Sequence, residues 1–276
     1  MSLADKIFID TCKDILQNGF WDTELDVRPK WEDGAPAHTV KKFGVVNRYD
    51  LSKEFPAQTI RKTFIKSAVD ELLWIWQKKS NNINDLGSHV WESWADENGS
   101  IGKANGYQLG VKHHYREGDM DQVDRVLFDL KHNPQSRRIL TNIYVHQDLS
   151  EMALYPCAYS MTFNTSGNKL NAILNQRSQD MLAANCWNVC QYAALVHMLA
   201  QVSGLEAGEF VHVIADAHIY DRHIPIIEEL ISREPYDAPD FVIDKSITDF
   251  YQFTKNSFSL ENYKYHDFSE KIPVAI

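Results

Sequence analysis

Cysteine is scarce in this chain. There are four in 276 residues (Cys12, Cys157, Cys186, Cys190), with no C-x-x-C and no second ligand pair near Cys186 and Cys190. That excludes a disulfide framework and fits no zinc pattern, so no metal is expected; free thiols suit a reducing compartment. Positive charge is also in short supply. With 28 basic against 38 acidic residues the net charge is −10, which argues against a general DNA- or RNA-binding surface. An anionic small ligand stays open if arginines cluster locally. No apolar run is long enough to span a bilayer, and Met1 to Lys6 lacks the basic-then-apolar pattern of a secretory leader. The expectation is a soluble, cytoplasmic protein. Apolar residues make up 44% and aromatics 12%, enough for a substantial core. With no repeat and no low-complexity linker, residues 1–276 read as a single domain.

Hydrophobic spacing sets the elements. Leu3, Ile7, Phe8, Ile15 and Leu16 form a helical stripe that stops near Asn18-Gly19. Residues 38–49 read as extended. Phe64, Ile65, Val69, Leu72, Leu73 and Trp76 predict a helix over about 59–78, and Val123, Val126, Leu127 and Leu130 another, stopped by Asn133-Pro134. Strands are predicted over 138–145, 158–164 and 170–177, the last two joined by the hairpin signal Ser166-Gly167-Asn168. A buried helix through Val189, Tyr192, Val196 and Leu199 closes at Ser203-Gly204; a strand over 210–216 and a helix over 219–232 follow. Helices and strands mix without regular alternation, which favours an α+β fold.

Chemistry concentrates between Leu154 and Tyr220. Cys157 follows Pro156 at a strand start, where a thiol can be presented to a cleft; a cysteine is also commonly a small buried hydrophobe. Arg177 lies on the strand predicted to pair beside it and can raise its thiolate fraction. Arg177-Ser178 joins a planar guanidinium to a hydroxyl, a pair suited to phosphate or to a solvated strand end. Arg137-Arg138 is a second basic pair whose side chains face opposite ways or reach a neighbouring subunit. Asn188 begins a helix, as an N-cap or as an amide that reads a pyrimidine edge. His218 and Tyr220, two apart, share a face if the strand extends through them. Asp216, His218 and His223 match no common zinc spacing. Glu71 sits on an otherwise apolar helix, either as a surface charge or as a proton-handling group. Trp91 and Trp94 are core or a stacking wall.

Taken together these residues resemble the folate-dependent thymidylate synthases. The likeness runs through Asp26-Val27-Arg28, Glu71 to Trp74, Trp91 to Gly99, Ser136-Arg137-Arg138, Met152 to Cys157, Gln176 to Asp180, Asn188, Asp216 to Tyr220 and the terminal Pro273 to Ile276. The resemblance implies a mixed sheet of about six strands flanked by helices, in a homodimer joined through the sheet face. It implies reductive methylation of dUMP to dTMP by 5,10-methylenetetrahydrofolate, with Cys157 adding to the pyrimidine C6, Asn188 on the uracil edge and Glu71 organising water and proton transfers. Arg28, Gln176, Arg177 and Ser178 would hold the nucleotide, joined by Arg137 and Arg138 of the other subunit. His218 and Tyr220 would contact the deoxyribose hydroxyl. Asp180 would bind the pterin, Trp91 and Trp94 would line the folate pocket, and Ile276 would close over it.

The chain departs from the family pattern in several places. Ala158 follows the nucleophile where a histidine is usual, and Asn105 stands where the family normally has tyrosine. Ala184, Cys186 and Trp187 replace Gly, Pro and Phe ahead of Asn188, and Ala215 replaces Gly. Two alternatives are a hydroxymethylase, in which water captures the intermediate, and a weakly active nucleotide- or RNA-binding relative. Asn188, rather than Asp, favours uracil over cytosine.

Overall fold

In the computed structural model, which describes residues 1–276, the predicted N-terminal stripe becomes helix α1 (Leu3–Asn18), capped by the Ser2 hydroxyl accepting from the Asp5 N–H. It ends at Gly19, where a Cβ would collide with the Ile15 carbonyl. In chain order there follow β1 (Phe20–Trp21), β2 (Thr39–Asp50), α2 (Ile65–Trp76), α3 (Gly106–Gly110), β3 (His113–Tyr115), β4 (Gly118–Met120), α4 (Gln122–His132), β5 (Ile139–Asn142), β6 (Ala158–Ser166), β7 (Lys169–Gln176) and β8 (Gln179–Asp180). The chain then continues through α5 (Asn185–Val202), β9 (Glu206–Tyr220), α6 (Ile224–Ser232), β10 (Asp240–Ile243) and β11 (Phe258–Glu261). The α+β expectation holds. The main sheet has seven strands in the order β1-β2-β9-β7-β6-β5, with the two-residue β8 also on β9.

Two expectations about element limits need correction. The helix predicted over 59–78 begins only at Ile65. Ahead of it, the Thr59 and Ile60 N–H groups donate to the buried Asp5 carboxylate and the Thr63 N–H donates to the Tyr263 hydroxyl. Donors taken by side chains are not free to close helical turns. The helix predicted from 219 starts at Ile224, because Ile219 and Tyr220 stay in β9, paired with Val40 and Thr39 of β2.

Strands β6 and β7 form the expected antiparallel hairpin, while β7 and β9 run parallel. Helix α5 makes the crossover between them. Thirteen of its eighteen residues are buried, so it is a core helix rather than a surface one; it packs on α2, β7 and β9. This layer positions the site: α2 and α5 lie side by side on one face of the sheet, and the β6, β7 and β9 ends deliver their side chains beside them. The opposite sheet face carries exposed Phe43, Val46, Leu140 and Ile173.

Candidate active site

Cys157 is the residue before β6, fixed by Pro156 on one side and by the Arg177 N–H donating to its carbonyl on the other, 2.9 Å. Arg177, just past β7, donates through Nε to the Pro156 carbonyl (3.0 Å) and through Nη2 to the Tyr155 carbonyl (2.7 Å). Those bonds hold the guanidinium with Nη2 3.6 Å from Cys157 Sγ. Burial pushes the thiol up, and Arg177, then Arg28, pull against it. The thiol therefore stays largely protonated until it reacts, next to a cation that stabilises the thiolate as it forms.

Arg28, Arg137, Arg138 and Arg177 form no ion pair with any carboxylate, in a chain with ten excess negative charges. The Ser178 hydroxyl is half-buried and free of protein partners. Arg28, Arg177 and Ser178 are therefore open to an anion. Within one chain Arg137 and Arg138 do not join them: they precede β5 on the surface, and Arg138 lines a separate cleft of about 1010 Å³ with Asn142 and Tyr115.

Asn188 is not a helix cap. Helix α5 starts at Asn185, so Asn188 sits one turn in, with its N–H donating to the Ala184 carbonyl. Its Oδ1 accepts from Gln176 Nε2 (3.2 Å) and its Nδ2 donates to Gln191 Oε1 (3.2 Å). One N–H and one lone pair remain for a heterocycle edge. Gln176, expected at the substrate, is buried and spent on protein, bridging Ser178, Asn188 and His212.

Glu71 is buried on α2, not a surface charge. Its two oxygens accept indole N–H groups from Trp91 (2.8 Å) and Trp187. Burial raises its pKa, and the two indoles oppose the rise. Trp91 also packs edge-on to Trp94, ring centroids 5.7 Å apart. The two half-exposed rings form a wall beside Glu71.

His218 and Tyr220 share a face of β9, rings 5.0 Å apart. His218 Nδ1 bonds Asp216 at 2.8 Å, which leaves Nε2 free. The Tyr220 phenol is pushed up to about 12 by burial, with Asp180, Arg28 and Cys157 all bearing on it, so these groups converge. Asp180 Oδ1 accepts from the Leu182 and Ala183 N–H groups and faces His223; its Oδ2 has no protein donor. The C-terminal tail returns here: His223 Nε2 meets the Pro273 carbonyl at 2.7 Å, and Ile276 exchanges two backbone bonds with Lys30, two residues from Arg28.

Thus Arg28, Cys157, Arg177, Asp180, His218 and Tyr220 bear on one another, and Gln176 links Ser178 to Asn188, whose neighbour Trp187 reaches Glu71 beside Trp91. Known proteins with this arrangement can be compared directly. The model of the thymidylate synthase family matches residues 6–276. This chain belongs to the thymidylate synthase family. It is 44% identical over 272 residues to the thymidylate synthases of Bacillus subtilis subsp. natto and of Bacillus phage phi3T, covering 97% of this chain and of each relative. The solved thermostable thymidylate synthase A from Bacillus subtilis superposes with a TM-score of 0.94 at 42% identity, over 99% of both chains. The chain is accordingly a methyltransferase that converts dUMP to dTMP. The family reading is favoured over a hydroxymethylase or a weakly active nucleotide- or RNA-binding relative.

Sequence reasoning missed three synthase residues that the structure brings to the site. His212 orients Gln176, Trp187 touches Glu71, and Gln191 holds Asn188. Only Trp187 carried a signal, as a departure from the family pattern immediately before Asn188.

Proposed function

We propose that dUMP binds with its phosphate between Arg28, Arg177 and Ser178, its deoxyribose against His218 and Tyr220, and its uracil edge on Asn188. Cys157 Sγ then bonds to C6, and the C5–C6 electron pair moves onto the ring toward the O4 oxygen, where fixed donors stabilise the developing charge. The thiol proton leaves as the bond forms. 5,10-Methylenetetrahydrofolate supplies the one-carbon unit and the hydride, and leaves as dihydrofolate.

The donor set suits that folate: Asp180 Oδ2 is an open acceptor for a pterin N–H, and Trp91 and Trp94 offer apolar ring faces. Glu71 orders water and handles protons at C5 and O4. The tail ending at Ile276, tied to Lys30, excludes water from the site.

The reading rests on one observation above the others: a thiol and an anchored guanidinium 3.6 Å apart, with no carboxylate neutralising the cation. Residues 1–276 act as one catalytic domain in a cytoplasmic homodimer. A second copy covers the exposed sheet face of Val46, Leu140 and Ile173. Because Arg137 and Arg138 lead directly into β5, which carries Leu140, docking there delivers them to the partner's phosphate site.

The test is mass analysis of the product and of the trapped enzyme. Wild type gives dTMP and a Cys157 adduct with 5-fluoro-dUMP and the folate; Cys157→Ser gives neither. Turnover by Cys157→Ser rejects the mechanism.

A further inference from the structure

We infer that Trp187 is a positioning residue for the reaction, fixing the Glu71 carboxylate from the first turn of α5 while its neighbour Asn188 reads the substrate. This rests on Glu71 being the proton-handling group assigned above.

A buried carboxylate needs donors on its oxygens. Glu71 has no charged partner; the groups that bear on it are Trp91, Trp187 and Gln191, and the Tyr192 phenol on α5 senses its charge in turn. The two indoles take one oxygen each. An indole N–H donates and never accepts, so the pair favours the ionised carboxylate, which accepts on both oxygens, over a protonated one, whose carbonyl alone accepts well.

The two donors come from different parts of the fold. Trp91 belongs to the loop after α2 and is tied into the Trp74–Trp91–Trp94 aromatic group. Trp187 belongs to α5, which packs along α2. Glu71 is therefore held from two sides and cannot swing with either element alone. Consecutive helical residues point about 100° apart, so Trp187 faces α2 while Asn188 faces Gln176 on β7. A single helical turn thereby sets the distance between proton handling and pyrimidine recognition.

Two variants remove the donor: Trp187→Phe, which also loses one ring, and 3-benzothienylalanine at 187, which preserves the bicyclic shape without an N–H. Loss of a donor to the carboxylate favours its protonated form. The acid limb of kcat/KM for dUMP therefore moves to higher pH, by about one unit for one hydrogen bond to a charged group. The pH midpoint at which the infrared carboxyl band of Glu71 titrates, read without ligands as the difference from Glu71→Gln, moves by the same amount. dUMP affinity stays within about twofold, since the residue does not touch the nucleotide. A limb and a band that do not move in the benzothienyl variant overturn the inference. If instead Glu71→Gln keeps full turnover and the same limb, the role given to Glu71 fails, whatever Trp187 does.

Discussion

Nε2 of His212 lies 2.8 Å from Oε1 of Gln176, and both side chains are fully buried. Because the carbonyl oxygen accepts, His212 carries its proton on Nε2, and the Gln176 amide is locked with Nε2 toward Asn188. A hydrogen-bonded chain thus runs from the interior of β9 through Gln176 to Asn188, the residue proposed above to read the pyrimidine edge. Burial pushes His212 down to about 3, so it stays neutral and keeps this role at physiological pH.

His212→Leu frees Gln176 to flip and leaves its Oε1 unpaired. Since Nδ1 of His212 already lacks a partner, removing the ring relieves one unsatisfied atom while creating another, and stability changes by less than about 2 kcal/mol. The larger effect is on substrate. The Kd for dUMP measured by calorimetry rises about tenfold as the Asn188 amide loses its fixed orientation. Unchanged affinity would show that Gln191 alone holds Asn188.

Arg177 acts on Cys157 before any substrate arrives. Removing the guanidinium in Arg177→Gln leaves burial unopposed except by Arg28, so the thiol rises further. Alkylation of the ligand-free enzyme by iodoacetamide at pH 8 slows about tenfold, corresponding to one unit in the thiol. Arg28→Gln slows it less, in keeping with the smaller influence of Arg28. Equal alkylation rates in wild type and Arg177→Gln would remove the electrostatic role assigned here.

Local pairing decides how much of this was legible in the sequence. Cys157 and Arg177 lie at the open end of one hairpin, so their neighbourhood is readable from its turn, while a bulge between Ala158 and Ser160 shifts the register by one and sets their actual pairing. The spacing of His218 and Tyr220 puts them on one face only because β9 runs on to Tyr220, beyond the strand limit expected from sequence. Contacts between distant segments are not readable that way. Glu71 and Trp187 are 116 residues apart, and His212 and Gln176 meet only because β7 and β9 pair in parallel across the α5 crossover. The start of α2 was hidden for a related reason: Asp5 and Tyr263, from opposite ends of the chain, capture the N–H groups that would have extended it. Arg137 and Arg138 were recognisable as a pair, but within one chain they stay on the surface, with Arg138 at a separate cleft.

Asn105 has a backbone at φ +44° and is buried ahead of α3. Asparagine tolerates positive φ better than most residues. Its loop is tied to the segment leading to Cys157 by the Gly102–Met152 bridge and by the Ala153 N–H donating to the Ile101 carbonyl. Asn105→Tyr restores the hydroxyl typical of the family. It is expected to raise kcat about a hundredfold, the low end of what a positioned acid–base group supplies. The stability cost at positive φ is about 1–2 kcal/mol. An unchanged kcat in a folded variant refutes a rate-limiting role for this position.

The tail contact gives a pH signature. Burial lowers the pKa of His223, but Asp180 and the Pro273 carbonyl outweigh it and the net shift is upward; Asp180 is raised by burial and brought below its usual range by His223, then His218. For the raised histidine, the stabilisation is complete below its unfolded value near 6.5 and is lost as pH rises through the folded value. For the depressed carboxylate it is present above about 3.9 and lost as pH falls. The Pro273 anchor is therefore firmest in mildly acidic solution and loosens with rising pH. Hydrogen exchange at the Ile276 amide, which donates to the Lys30 carbonyl at 3.0 Å, reports this directly: its protection factor should drop severalfold on going from pH 6 to pH 8.5. His223→Gln keeps a donor toward Pro273 but cannot ionise, so its protection should be flat across that range. A pH-dependent loss of the same size in His223→Gln would place the switch elsewhere.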